Sequence, residues 1–198
     1  MIPIAIFIGG PTSSNKTKLA KSIQKEFPSY IINADSMQVY DKLDILTNKP
    51  DSAEIVESEC KLFSFVEYPK ICSVGLWKRE VEKLFKINQK IPIIVGGTGL
   101  YIDSLINDLS PIPKIPKDVE INVKKIQLKF GNEYLYEKLK KVDPKYAEKI
   151  SSNDKQRIIR ATAVAFSTGK SMTEWHMTKK NQRIKKLIYV ALKIERNI

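Results

Sequence analysis

Residues 4–17 constrain what this chain can fold into more tightly than any other stretch. Ile4-Ala-Ile-Phe-Ile8 is short and fully apolar, the mark of a strand buried on both faces of a parallel sheet. Gly9 and Gly10 end it, and Gly10-Pro-Thr-Ser-Ser-Asn-Lys-Thr17 leads into a helix from about Lys16 with Leu19, Ala20 and Ile23 on one face. A strand, then Gly, four residues, Gly, Lys and Ser/Thr, then a helix is the pattern of the P-loop. The backbone N–H groups of such a loop converge on phosphate oxygens at the positive end of the helix. Here Asn15 stands where the second Gly belongs. Asn is among the least costly non-glycine residues where φ must be positive. Gly10, Pro11, Thr12, Ser13, Ser14, Asn15, Lys16 and Thr17 are therefore the expected phosphate-binding loop. Lys16 would neutralise phosphate charge, and Thr17 would bind Mg²⁺.

The segments that follow alternate in the same manner. Tyr30–Asn33 reads as a second strand, Leu76–Asn88 as a helix, Ile91–Val95 as a third strand, and Leu100–Ile106 as a further helix. Residues 51–75 are ambiguous, with Phe63, Phe65 and Val66 as a candidate short strand. Strands alternating with helices imply a parallel sheet covered on both faces, an α/β class. Pro111, Pro113 and Pro116 then mark a boundary, beyond which the pattern is helical. Segments 117–130 and 132–141 flank Gly131, Asp143-Pro144 opens another helix, and Asn153 or Asp154 caps one running to about Ser167. Ser171-Met-Thr-Glu174 matches a capping box, and Leu187–Leu192 is apolar enough to return as a strand. The expected division is a phosphate-binding core over 1–110, a helical lobe over 111–185 and a returning strand over 186–198.

Charge separates the two parts. Residues 1–110 hold 13 Lys+Arg and 13 Asp+Glu, whereas residues 111–198 hold 21 and 9, so the whole net charge of +12 lies in the second part. A compositional bias toward Lys would load both parts alike. Segregated basic charge suits a nucleic-acid partner, because Lys and Arg displace the counterions condensed on phosphates. Cys60, Cys72 and a single histidine, His176, exclude a Cys/His zinc cluster and a His-based triad. The apolar runs are too short to span a bilayer, and Met1 leads straight into a strand, so a cytoplasmic protein without a membrane partner is expected.

Three further constellations carry chemistry. Asp35 lies just past the second strand, where ligands bind in open α/β sheets, and suits a general base or a Mg²⁺ ligand. Gly96-Gly-Thr-Gly-Leu-Tyr101 follows the third strand and lacks the Asp that nucleotide-hydrolysing P-loop proteins place there; Thr98 would point its hydroxyl into the crevice instead. In the basic segment, Arg157 and Arg160 share a helix face, while Ile158 and Ile159 can pack inward.

Taken together, these residues resemble the tRNA dimethylallyltransferase (isopentenyltransferase) family. The resemblance rests on Gly10-Pro-Thr with Lys16-Thr17, Ala34-Asp-Ser-Met-Gln-Val-Tyr40, Asp44-Ile45 and Lys49-Pro50. Val95-Gly-Gly-Thr-Gly-Leu-Tyr101, Leu109-Ser-Pro, Asn153-Asp-Lys-Gln-Arg157 with Arg160, and Gly169-Lys-Ser follow in family order. It implies a P-loop NTPase-like parallel sheet flanked by helices, with a smaller helical lobe. It also implies transfer of a dimethylallyl group from dimethylallyl diphosphate to N6 of the adenosine 3′ of the tRNA anticodon. On that resemblance the P-loop cradles a diphosphate leaving group with Mg²⁺, and Lys16, Asp35 and Thr98 are catalytic, Asp35 accepting the N6 proton. Asp35, Ser36, Met37, Gln38 and Thr98, with Gln156, Arg157, Ile158, Ile159 and Arg160, contact the anticodon stem-loop of a monomeric enzyme's tRNA. The sequence departs from the family pattern at Asn15, at Glu120 where an Arg is usual, and at Lys61-Leu62-Phe63 where paired histidines are usual. Further family helices would follow Ile198. An RNA-binding remnant of the family and a P-loop small-molecule kinase are the alternative readings.

Overall fold

A computed structural model of the chain describes residues 2–178 and 184–193. The chain forms two compact units. The first comprises the described residues up to Leu109 together with those from Ile184 onward, and the second runs from Ser110 to Thr178.

The first unit is built on a five-stranded parallel sheet. In chain order its elements are β1 (Ile2–Gly9), α1 (Lys16–Glu26), β2 (Ser29–Asn33), α2 (Ser52–Glu57), β3 (Cys60–Lys61), α3 (Val74–Ile87), β4 (Ile91–Gly96), α4 (Gly99–Ile106) and β5 (Ile184–Ala191). The strand order is β3-β2-β4-β1-β5. β1 lies between two partners, with Phe7 opposite Ile94 on one side and Tyr189 on the other. A strand so placed can be satisfied only by apolar side chains on both faces, as its sequence requires. Phe7, Ile32 and Ile94 join Trp77 and Val81 of α3 and Tyr101 and Leu105 of α4 on one face. Ile8, Ile31 and Ile93 join Leu19, Ala20 and Ile23 of α1 on the other. The alternation of neighbouring residues between two apolar layers is the period-2 geometry of strands, so helices cover both faces. The fold is that of the P-loop NTPase-like proteins.

The expected strand over Phe63, Phe65 and Val66 is corrected. β3 is Cys60–Lys61, paired with Ile31 and Ile32. Leu62 and Ser64 both have positive φ (63° and 49°), which breaks the extended backbone, and Val66 keeps only an isolated bridge to Tyr40. The ambiguous stretch also holds α2, capped where the Asp51 side chain accepts the Glu54 N–H at 2.8 Å.

The second unit is helical: α5 (Lys117–Val142), α6 (Pro144–Ala147), α7 (Lys155–Thr168) and α8 (Met172–Met177). α5 breaks at Gly131, whose φ of 84° and ψ of 173° only glycine adopts readily. Asp143 caps α6, Asp154 caps α7, and Ser171 with Glu174 completes a capping box on α8. Val123, Leu135, Leu139, Ile158, Ala161 and Val164 form its core. Among the described residues no helix is long and apolar enough to cross a membrane.

Candidate active site

The loop between β1 and α1 bends through two non-glycine residues of positive φ, Ser13 (61°) and Asn15 (59°). Asn15 adopts the left-handed conformation that the usual glycine would supply, and its side chain makes no capping bond to α1. Asparagine adopts this conformation at less cost than most residues that carry a Cβ. Ser14 is buried, and its hydroxyl donates to the Pro11 carbonyl at 2.8 Å. The Lys16 ammonium folds over the loop and donates to the same carbonyl at 2.5 Å and to the Ser14 hydroxyl at 3.4 Å. Partial burial pulls the Lys16 pKa below the ordinary lysine value, and the Asp35 carboxylate opposes that shift. The Asp35 carboxylate, just past the carboxyl end of β2, thus acts on the Lys16 ammonium at the start of α1. Pro11, Thr12 and Ser13 are exposed, while Gly10 and Thr17 are half-buried.

Asp35 is held by a network of side chain and backbone bonds. Asn33, only 1 % exposed, accepts the Asp35 N–H through its side-chain oxygen at 3.0 Å. Its amide donates to the carbonyls of Asp35 and Leu62 at 3.2 and 3.1 Å. Trp77 donates its indole N–H to the Asn33 carbonyl at 2.7 Å and stacks on Tyr101, with ring centroids 4.5 Å apart. One Asp35 carboxylate oxygen accepts the Met37 N–H at 2.9 Å. The other side of the crevice comes from β4. Gly96 passes so close to Ala34 that a Cβ would lie 2.2 Å from its carbonyl, so only glycine permits this approach. The Thr98 N–H donates to the Ala34 carbonyl at 3.1 Å, and the Thr98 hydroxyl accepts the Ser36 N–H at 2.9 Å. That hydroxyl keeps its own proton to donate elsewhere.

Gln38 and Lys49 have structural duties that the sequence did not signal. The Gln38 amide donates to the carbonyls of Thr47 and Asn48 at 2.9 and 3.2 Å. The Lys49 side chain is 2 % exposed; it pairs with Asp44 and donates to the Tyr40 carbonyl and the Ser64 hydroxyl. Together they close the loop after β2. Asn33, Trp77 and Tyr101 were likewise missed as supports. Their only sequence signal is position, at the end of a strand or on a helix that crosses its face.

Thr17 offers one hard oxygen at the first turn of α1. Among the described residues no group of three or more His, Cys, Asp or Glu side chains converges to cage a metal. A single hydroxyl suits Mg²⁺ that takes most of its octahedral shell from phosphate oxygens and water.

In the second unit, Gln156, Arg157 and Arg160 are exposed on α7. Arg157 pairs with the capping Asp154 at 3.1 Å, and Arg160 lies 3.8 Å from Glu120. Ile158 is corrected as an RNA-contacting residue. It is fully buried in the core of this unit because it lies on the inward stripe of α7, and Ile159 is half-buried.

Comparison with known proteins places this arrangement. A profile described as IPP transferase matches residues 38–198. The chain belongs to the IPP transferase family. It is 44% identical over 174 residues to the tRNA dimethylallyltransferase of Pelagibacter ubique (strain HTCC1062), covering 86% of this chain and 55% of that protein. With the tRNA dimethylallyltransferase of Rickettsia rickettsii (strain Sheila Smith) it shares 40% over 180 residues, covering 89% and 50%. The chain thus spans about half the length of the curated relatives it matches. Among solved structures it is similar to a eukaryotic dimethylallyltransferase acting on tRNA, with a TM-score of 0.81 and 26% identity over 96% of this chain and 48% of that one. A tRNA isopentenylpyrophosphate transferase from Staphylococcus epidermidis matches at 0.52 and 32%, over 92% and 61%.

Proposed function

We propose that this chain carries the catalytic part of a tRNA prenyltransferase, which moves a dimethylallyl group from dimethylallyl diphosphate to N6 of the adenosine 3′ of the anticodon. One observation carries the reading: a loop of the P-loop pattern, a carboxylate and a hydroxyl lie at the carboxyl ends of three neighbouring strands, with the Asp35 carboxylate acting on the Lys16 ammonium. In the reaction the bond from the prenyl C1 to the diphosphate oxygen breaks, and a bond from C1 to N6 forms. The diphosphate leaves with the electron pair of the broken bond, and the N6 proton passes to the free oxygen of Asp35. The loop N–H groups and Lys16 stabilise the charge that grows on the leaving group. Mg²⁺ on Thr17, when bound, would share that charge with the departing diphosphate. Thr98 holds the Ser36 backbone and presents its remaining proton to the reacting groups. The target base must leave its stack to reach this site, which a loop nucleotide does at modest cost. The basic helical unit, with Gln156, Arg157 and Arg160 exposed, would hold the anticodon stem-loop through its phosphates. The chain is read as a cytoplasmic monomer, in keeping with Cys60 and Cys72 both being free thiols.

The test is incubation with Mg²⁺, dimethylallyl diphosphate and an anticodon stem-loop bearing adenosine at the target position, with the RNA read by mass spectrometry. Gain of one dimethylallyl group on that adenosine is expected. Unmodified RNA accompanied by consumption of ATP would contradict the proposal and favour a kinase.

A further inference from the structure

Gly131 breaks α5 and leaves Phe130 and Tyr134 on its two sides as an exposed pair. Their ring centroids lie 4.9 Å apart with planes tilted by 32°. Phe130 is 51% exposed and Tyr134 40%, while Leu135 and Leu139 of the same helix turn inward to the core. Neither ring is needed to fill that core. Each carries a cation: the Lys129 ammonium lies 5.1 Å from the Phe130 centroid, and that of Lys138 lies 5.3 Å from the Tyr134 centroid. The break is also fixed in place. The Asn132 amide donates to the Ser152 carbonyl, two residues before the Asp154 cap of α7, which tethers the aromatic pair at the end of α7 that exposes Arg157.

We infer that Phe130 and Tyr134 form a stacking platform for an unpaired nucleotide of the bound RNA. Rings offer their faces to any base, and the adjoining ammonium groups reach the flanking phosphates, a combination that single-stranded nucleic acid binds and a closed duplex cannot use. Charge complementarity selects RNA as the occupant, since residues 110–178 of this unit hold 14 Lys+Arg against 8 Asp+Glu, a net charge of +6. The inference rests on the reading of the chain as an RNA-modifying protein, and it adds a base-contacting surface that the phosphate-binding arginines do not supply.

The experiment measures equilibrium binding of the whole chain to the anticodon stem-loop and to a blunt duplex made from the same stem. Four proteins are compared: the unaltered chain, Phe130→Ala/Tyr134→Ala, Phe130→Leu/Tyr134→Leu, and Phe130→Tyr/Tyr134→Phe. The Ala and Leu pairs should each weaken stem-loop binding about tenfold or more, because the Leu pair keeps the apolar bulk but not the ring faces. Duplex binding and the salt dependence should not change, since the phosphate contacts remain. The Tyr/Phe exchange should bind within about twofold of the unaltered chain. Stem-loop affinity retained in the Ala pair would overturn the inference, as would equal loss on stem-loop and duplex. Self-association lost in the Ala pair with RNA affinity intact would assign the surface to a second copy instead. An unaltered chain that binds neither RNA would defeat the RNA reading itself, and the platform with it.

Discussion

The two units handle polar groups in opposite ways. In the sheet unit the important ones are turned inward and tied down: Asn33 is buried with three bonds from its side chain, Lys49 is enclosed by three partners, and Trp77 spends its N–H on a strand carbonyl. Positive and negative residues balance in 1–110. In the helical unit the excess positive charge faces solvent, and its buried acid, Asp143, serves the fold. That carboxylate caps α6 at 3.2 Å and accepts the Thr173 N–H and hydroxyl at 2.9 and 2.6 Å. Chemistry on a small reacting centre needs groups fixed to a fraction of an ångström, whereas grip on a polyanion needs charge displayed.

That contrast predicts a separation of phenotypes. Lys16→Met should lower transfer about a thousandfold by removing leaving-group stabilisation, with RNA affinity nearly unchanged. The same change should raise thermal stability at neutral pH. Burial lowers the folded pKa of Lys16 below its ordinary value of 10.5, so its charge is a cost to the folded state. That cost is fully present below the folded pKa and is relieved as pH rises from there to 10.5, so the stability gain of Lys16→Met should fade across that window. Thermal melts at a series of pH values measure it; a gain that grew with pH would refute the sign.

In the helical unit, Asp143→Ala should cost about 2 kcal/mol of stability in denaturant titrations, since it strands half-buried donors of Tyr146 and Thr173 on two elements. Below the melting temperature it should leave diphosphate binding intact. Loss of diphosphate binding from a still-folded variant would break the division of labour. The smallest effect is expected at Glu120. Its pair with Arg160 is exposed and 3.8 Å long, so Glu120→Ala should change stability by less than about 0.5 kcal/mol. Freed of its acidic neighbour, Arg160 should bind stem-loop RNA about threefold more tightly at low salt, an increase that disappears at high salt.

How much of this was legible depends on the range of the forces involved. β1, β2 and β4 were readable because each is a local apolar run, and the helix caps at Asp143, Asp154 and Ser171 because capping needs only neighbours in sequence. The placement of Asp35 followed from the rule for strand ends in α/β sheets. The stretch from 51 to 66 was not readable, since its shape comes from partners far along the chain: Lys21 pairs with Glu54, Lys49 holds Ser64, and Asn33 holds the Leu62 carbonyl. The role of Asn33 was hidden for the same reason. Ile158 shows a different failure. A motif carried over as a block hides the helical period, which sends one residue inward between exposed neighbours. At Asn15 the expectation that asparagine tolerates a positive φ needed only local sterics, and the backbone there is left-handed.

The decisive measurement is a single-turnover comparison of the unaltered chain with Asp35→Asn, using saturating dimethylallyl diphosphate, Mg²⁺ and stem-loop RNA. If Asp35 takes the N6 proton, the rate of prenyl transfer should fall at least about a hundredfold while both substrates bind within about threefold of their original affinities. An unchanged rate, or a loss explained wholly by weaker binding, would contradict the assignment of the crevice between β1, β2 and β4 as the site of prenyl transfer.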